Sequence, residues 1–196
     1  VTKGKQIIDY MSQKGYTVRA LNLIGVEGVD TDFERNDDSF DVFNDVIAVI
    51  SSTGFVSMAF KATTEPGAFY TDNRMNPDGA ARMEFGQYTD AYQVGYHFDQ
   101  YPALVQVRDV SVRRDDNQDG VRTNDKVYKG LFGINIHTTS DYPDGGYLPQ
   151  YIGRWSAGCQ VVQNSASFYD KLMPTVIGFG NDSITYTLIS GVDVFG

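Results

Sequence analysis

Leu131-Phe132-Gly133-Ile134-Asn135-Ile136-His137 and Ile152-Gly153-Arg154-Trp155-Ser156-Ala157-Gly158-Cys159-Gln160-Val161-Val162 are the two runs on which the reading of this chain turns. Both carry β-branched and aromatic residues punctuated by glycine, the pattern of short strands. An irregular loop rich in Gly, Pro and Tyr joins them. A histidine therefore stands at the end of one strand and a cysteine at the start of another.

Working outward, strand signals recur over 16–21, 46–50, 55–60, 92–98, 104–107, 110–113, 130–137, 158–162 and 184–189. The second and third of these, joined by Ser51-Ser52-Thr53-Gly54, read as a hairpin. Helical spacing is confined to Ile7, Ile8 and Met11, stopped by Lys14-Gly15, and to a late segment over 165–172. Residues 61–83 are dense in turn formers and read as an ordered loop ending in one helical turn over 80–83. The acidic segment 30–45 reads as a solvated loop. No repeat and no Pro- or Ser-rich linker divides the chain, so residues 1–196 are expected to form a single, mainly β domain with a few short helices.

Composition limits the function. A chain of 196 residues with 41% hydrophobic content can bury a substantial core. Its net charge of -9 argues against nucleic acid as a partner, because such proteins need a basic surface to displace counterions from phosphates. No apolar stretch is long enough for a membrane span, and VTKGKQIIDY lacks the apolar run of a secretory signal, so a soluble chain is expected. One cysteine and two histidines cannot make an internal disulfide or a complete structural zinc site.

Cys159 then reads either as a buried thiol in a tight turn into a core strand or as a reactive group. A thiol is a poor nucleophile until it loses its proton, so a reactive cysteine needs an imidazole within hydrogen-bond reach. His137 is the expected partner. Gly158 allows the backbone to turn its N–H groups toward a tetrahedral oxyanion, and the small Ser156 and Ala157 leave room for one. His97, in Gly95-Tyr96-His97-Phe98, is the rival base and reads as a core or rim histidine.

This arrangement resembles the L,D-transpeptidase catalytic domain, the YkuD-type family, whose signature is a histidine followed, after a gap, by Ser/Thr-His-Gly-Cys. Here His137-Thr138 is followed by Ser156-Ala157-Gly158-Cys159, with a gap one residue longer than the family pattern. The resemblance implies a β-sandwich of mixed sheets with a Cys-His cleft under a loop. It implies Cys159 as the attacking group, His137 as its base, the Thr138 carbonyl as the orienter of the imidazole, and Ser156, Gly158 and Cys159 as the frame of the oxyanion site. Two positions depart from the family: its second histidine is Ala157 here, and the Arg or Asn two places beyond the cysteine is Val161. Arg154 and Trp155 are candidates to hold a substrate carboxylate and to cover the site.

The expected activity is acyl transfer on peptidoglycan stem peptides through a thioacyl-enzyme, as an L,D-transpeptidase or related peptidase needing no cofactor, in the cell envelope or outside the cell. The alternative is a structural or peptidoglycan-binding component of a phage particle or wall-associated assembly with weak or no catalysis, which the loss of the second histidine favours. A second motif, Asp115-Asp116-Asn117-Gln118-Asp119-Gly120, fits the opening of a calcium loop, with Asp115, Asn117 and Asp119 as ligands of a structural ion. Lys126 stands where the bidentate glutamate belongs and no helices flank the loop, so a plain hairpin turn is the preferred reading.

Overall fold

The computed structural model describes residues 1–140, 147–180 and 182–196. Among the described residues eleven strands form two sheets: β1 (Leu21–Glu27), β2 (Asp45–Ser51), β3 (Val56–Thr63), β4 (Ala80–Met83), β5 (Gly86–His97), β6 (Tyr101–Gln106), β7 (Val110–Asp115), β8 (Lys126–Gly130), β9 (Ile136–Thr138), β10 (Gln160–Val162) and β11 (Ile184–Ser190). Eight of them, in the order β1-β11-β5-β6-β9-β10-β3-β2, close into a barrel, and β4-β7-β8 make a separate antiparallel sheet. The mainly β class holds. The expected sandwich is corrected to a closed barrel plus a small sheet, because β1 pairs with β11 on one side and with β2 on the other and leaves no edge there. Pairing in the barrel is mixed: β1 runs parallel to β11 and β9 parallel to β10, while the other neighbours are antiparallel.

Residues 46–50 are apolar without alternation because both faces of β2 are covered. Ile47 and Val49 join Leu23, Leu104, Ile136 and Leu188 in the main core, which also takes Met83 and Val112 from the small sheet. Val46, Ala48 and Ile50 face the other way and pack under Ile7, Ile8 and Met11 of α1 (Lys3–Gln13). Thr2 caps that helix, its side chain accepting the Lys5 N–H at 3.3 Å. The helix start presses so closely on the β2–β3 turn that a Cβ on Gly4 would lie 2.3 Å from the Gly54 carbonyl oxygen.

The hairpin expected over 46–60 is β2–β3, and the N-terminal helix is α1. Elsewhere the boundaries move. Residues 80–83 form strand β4, since all four are buried against β7, a tertiary contact that overrides the helical tendency of Ala-Ala-Arg-Met. The strand expected at 16–21 lies instead over residues 21–27, and of residues 130–137 only the end belongs to β9. The late helix extends from α3 (Ser165–Ser167) through a π-helical turn (Phe168–Leu172) into α4 (Met173–Ile177).

The acidic segment is not uniformly solvated. Asp45 is 1% exposed and accepts the Gly28 N–H (2.8 Å), the Thr64 N–H (2.6 Å) and the Thr64 hydroxyl (2.9 Å). Burial pushes its carboxyl well above the usual carboxylate range. Around it stand two ion pairs, Glu27 with Arg122 and Glu65 with Arg82. Gln160 is tied into the same region, donating to the Thr64 carbonyl at 3.2 Å and accepting the Tyr186 hydroxyl at 2.9 Å. The strand that follows the cysteine is therefore fixed from beneath. No helix among the described residues is long and apolar enough to cross a membrane.

Candidate active site

Strand register brings Cys159 and His137 together. Val161 is the parallel partner of His137, and Cys159, two residues earlier, projects to the same face as Val161 because side chains alternate along a strand. Cys159 lies just before β10 and packs beside Val161, Phe43 and Ile152 under a partly buried Trp155. Its sulfur and one ring nitrogen each of His137 and His97 lie within 4.8 Å of one another. The second histidine comes from the far end of β5. The β5–β6 hairpin carries it, pairing His97 with Tyr101, while β6 pairs through Leu104 with Ile136.

His137 is 8% exposed and its Nδ1 lies 2.8 Å from the carbonyl oxygen of Thr138. A carbonyl only accepts, so Nδ1 carries the proton and Nε2 is left with its lone pair, the state a base requires. Thr138 is itself anchored by its hydroxyl, which donates to the Val162 carbonyl at 2.8 Å. Burial, then the neighbouring His97, lowers the His137 pKa to about 4, against a smaller upward pull from the Thr138 carbonyl. Burial likewise raises the Cys159 thiol to about 11, although the backbone N–H of Asn135 favours the thiolate. At neutral pH the resting pair is therefore a thiol and a neutral imidazole, with the thiol directed at the Gly133 carbonyl at 3.5 Å. A thiol in this state would attack an electrophile only if it lost its proton in the same step.

Ser156 and Gly158 have a structural task. The Ser156 hydroxyl donates to the Cys159 carbonyl (2.8 Å) and accepts the Gly158 N–H (3.0 Å), which closes a tight turn in front of the cysteine. The Gly158 N–H is thus engaged by a side chain of its own turn. The Cys159 backbone N–H has no hydrogen-bond partner among the described residues. Gly158 is required for another reason: its φ is +135°, and a Cβ there would lie 2.5 Å from the Ala81 carbonyl oxygen.

The Cys-His centre lies at the junction of a cleft of about 510 Å³, lined by Cys159, Tyr70, Arg114 and Phe132, and one of about 410 Å³, lined by Tyr101, Thr138 and Tyr169. His97, His137, Arg154 and Trp155 line both. Arg154 and Trp155 therefore share a cleft with Cys159. The Arg154 guanidinium lies 3.8 Å above the Phe69 ring of α2 (Ala68–Asp72), and Arg114 lies 5.1 Å above Phe132. These two arginines are the only formally charged side chains among the described residues lining the clefts, in a chain whose net charge is -9. Asp41, from the acidic segment, holds the loop before the cysteine in place by accepting the Gly153 N–H (2.7 Å) and the Ala68 N–H (2.8 Å). Another cavity, of about 270 Å³ near Arg19, Asn22 and Gln87, is lined by neither a cysteine nor a histidine.

His97, Asn135 and Arg114 were not singled out by sequence as functional. The amide of Asn135 is oriented by the Gln106 N–H, which donates to its Oδ1 at 2.9 Å, and this turns Nδ2 toward His97 Nδ1, also at 2.9 Å. An amide nitrogen only donates, so His97 Nδ1 accepts and Nε2 carries the proton. The same bond bears on metal binding, because two histidines and a cysteine form a set of metal-ligand types. A metal on His97 Nε2 would need a proton on Nδ1, and that N–H would face the Asn135 amide N–H. The surroundings of His97 do not fit that role, whereas the carbonyl behind His137 does.

The calcium-like motif lies between β7 and β8, strands rather than helices, in a connection over 116–125. Asp115 accepts the N–H groups of Asp119 (3.1 Å) and Gly120 (3.0 Å), and Asn117 Oδ1 accepts the Asp119 N–H at 3.2 Å. Asn117 Nδ2 donates to Asp119 Oδ2 at 2.7 Å. The loop is longer than a plain hairpin turn and is built from side-chain bonds to its own backbone.

No family model, no curated protein and no solved structure matches this chain.

Proposed function

We propose that this protein is a cysteine-dependent acyltransferase or peptidase of the L,D-transpeptidase type, acting on peptidoglycan stem peptides in the cell envelope or from a phage or wall-associated assembly. The observation that carries the reading is the convergence of Cys159 with a buried His137 whose Nδ1 is held by the Thr138 carbonyl. That carbonyl matches, residue by residue, the orienter that the family resemblance implies. The two arginines lining the cleft support a donor that carries a carboxylate, as stem peptides do.

In the acylation step the Cys159 S–H proton passes to His137 Nε2 as sulfur bonds to the donor carbonyl carbon, and the carbonyl π pair moves onto oxygen. Collapse of this tetrahedral oxyanion breaks the C–N bond, and the departing amine takes the proton from His137. The product is a thioester. An acceptor amine or water then attacks the thioester and gives a proton to His137, which returns it to the departing sulfur. An amine yields a new amide cross-link, and water yields the free acid.

The test is digestion of purified sacculi with and without the protein, followed by muropeptide analysis. The reading expects new cross-linked or trimmed stem peptides with wild-type protein and none with Cys159→Ala. An unchanged muropeptide profile with wild-type protein contradicts it.

A further inference from the structure

We propose that His97 is a second catalytic residue, whose Nε2–H donates a hydrogen bond to the tetrahedral oxyanion formed at Cys159. The inference rests on the acyl-transfer reading and supplies what the turn in front of the cysteine does not. The Gly158 N–H is held by Ser156 Oγ, which leaves the Cys159 N–H as the one backbone donor of the Gly158-Cys159 turn without a partner among the described residues. A tetrahedral oxyanion is best held by two or more preorganised donors. The Ala157 side chain carries no donor.

The tautomer of His97 follows from a chain of fixed bonds. The Gln106 backbone N–H sets the Asn135 amide, and that amide donates to His97 Nδ1, so the neutral ring holds its proton on Nε2. His137 is fixed in the opposite tautomer by the Thr138 carbonyl. Two stacked imidazoles thus have opposite duties: His137 offers a lone pair, and His97 offers an N–H. His97 lines both clefts, and Nε2 has no hydrogen-bond partner among the described residues. No proton is transferred from His97. It polarises the carbonyl oxygen and keeps its own hydrogen. Asn135 is its positioning residue.

Two measurements test this on the full chain. Long-range proton–nitrogen correlation spectra near pH 7.5 should show His97 as the Nε2–H tautomer and His137 as the Nδ1–H tautomer, with His97 switching in Asn135→Asp. Acylation of Cys159 by a β-lactam, followed by intact mass, should be slowed ~10²-fold in His97→Phe, which keeps a ring on His137, and restored to within ~10-fold of wild type in His97→Gln, which retains a donor. A melting temperature equal to wild type shows that both variants fold. Acylation of His97→Phe at the wild-type rate, or His97 protonated on Nδ1 in the wild type, overturns the proposal and leaves the acyl-transfer reading intact. A wild-type chain that is never acylated removes the acyl-transfer reading and the role of His97 together.

Discussion

The imidazoles of His97 and His137 are stacked with centroids 4.2 Å apart and ring planes 15° from parallel. Two rings at this separation cannot both hold a positive charge cheaply, and burial adds to the cost. Both histidines are accordingly pushed below their ordinary pKa, by burial in each case and at His137 also by His97. The pair is neutral at physiological pH. That neutrality allows one ring to accept a proton while the other donates a hydrogen bond.

A thiol raised to about 11 is a weak target for small alkylating reagents. At pH 7, iodoacetamide should modify Cys159 ~10²-fold more slowly than an unperturbed cysteine, because the thiolate fraction is smaller by about that factor. The rate should climb with pH up to about 11. On the proposed mechanism a bound acyl donor would escape this limit, because His137 would take the proton during attack. Fast, pH-independent alkylation near neutrality would show a preformed thiolate and contradict the neutral resting pair.

His137 also makes folding pH-dependent. Its pKa is about 4 in the folded chain against an ordinary 6.5, so between these values the unfolded chain binds the proton more tightly. Its contribution is intact above about pH 6.5 and is lost as pH falls to about 4, a change of about 3 kcal/mol. Buried Glu65, raised to about 7 by burial and then by Glu27, acts in the opposite direction: its carboxylate favours the folded state less as pH rises from the ordinary range to about 7. The clean comparison is wild type against His137→Gln by urea denaturation. The variant should gain relative stability as pH falls from 7 to 4. A constant difference across that range would refute the assigned shift.

Gly158→Ala places a Cβ on the Ala81 carbonyl oxygen at a backbone angle open to glycine. The expected loss is about 3 kcal/mol, or a melting temperature lower by about 6–12 °C for a chain of this size. Calorimetry checks it. A variant as stable as wild type would mean that the turn relaxes freely.

Arg154→Gln should raise KM about 10- to 100-fold for a donor with a free carboxylate, the value of one charge-assisted hydrogen bond, while changing kcat little. The same variant should leave an amidated donor unaffected. Equal losses on both donors would assign Arg154 to packing on Phe69 instead of carboxylate binding.

The sequence made the local parts legible. The amphipathic α1, the β2–β3 hairpin and the pair Cys159 and His137 follow from spacing and residue type, because each depends on contacts near in sequence or on a short motif. Closure of the barrel was not legible, since the β1–β11 pairing joins residues from opposite ends of the chain and leaves no local trace. The place of His97 beside His137 was hidden for the same reason. Its approach to His137 depends on β6 lying between β5 and β9, a neighbour relation that periodicity does not encode. Asp41 and Asp45 were hidden in a run of acids whose composition is that of a solvated loop, although each accepts backbone N–H groups that fix the site or the sheet beneath it.

The most direct test of the central claim is the mass of the intact protein after brief exposure to a stem tetrapeptide donor or a carbapenem-type β-lactam at pH 7.5. The account predicts a single covalent adduct that maps to Cys159, is absent in Cys159→Ala, and forms at least ~10²-fold more slowly in His137→Ala. Absence of any adduct on the wild-type chain with either reagent, or an adduct whose rate is indifferent to His137→Ala, would contradict it.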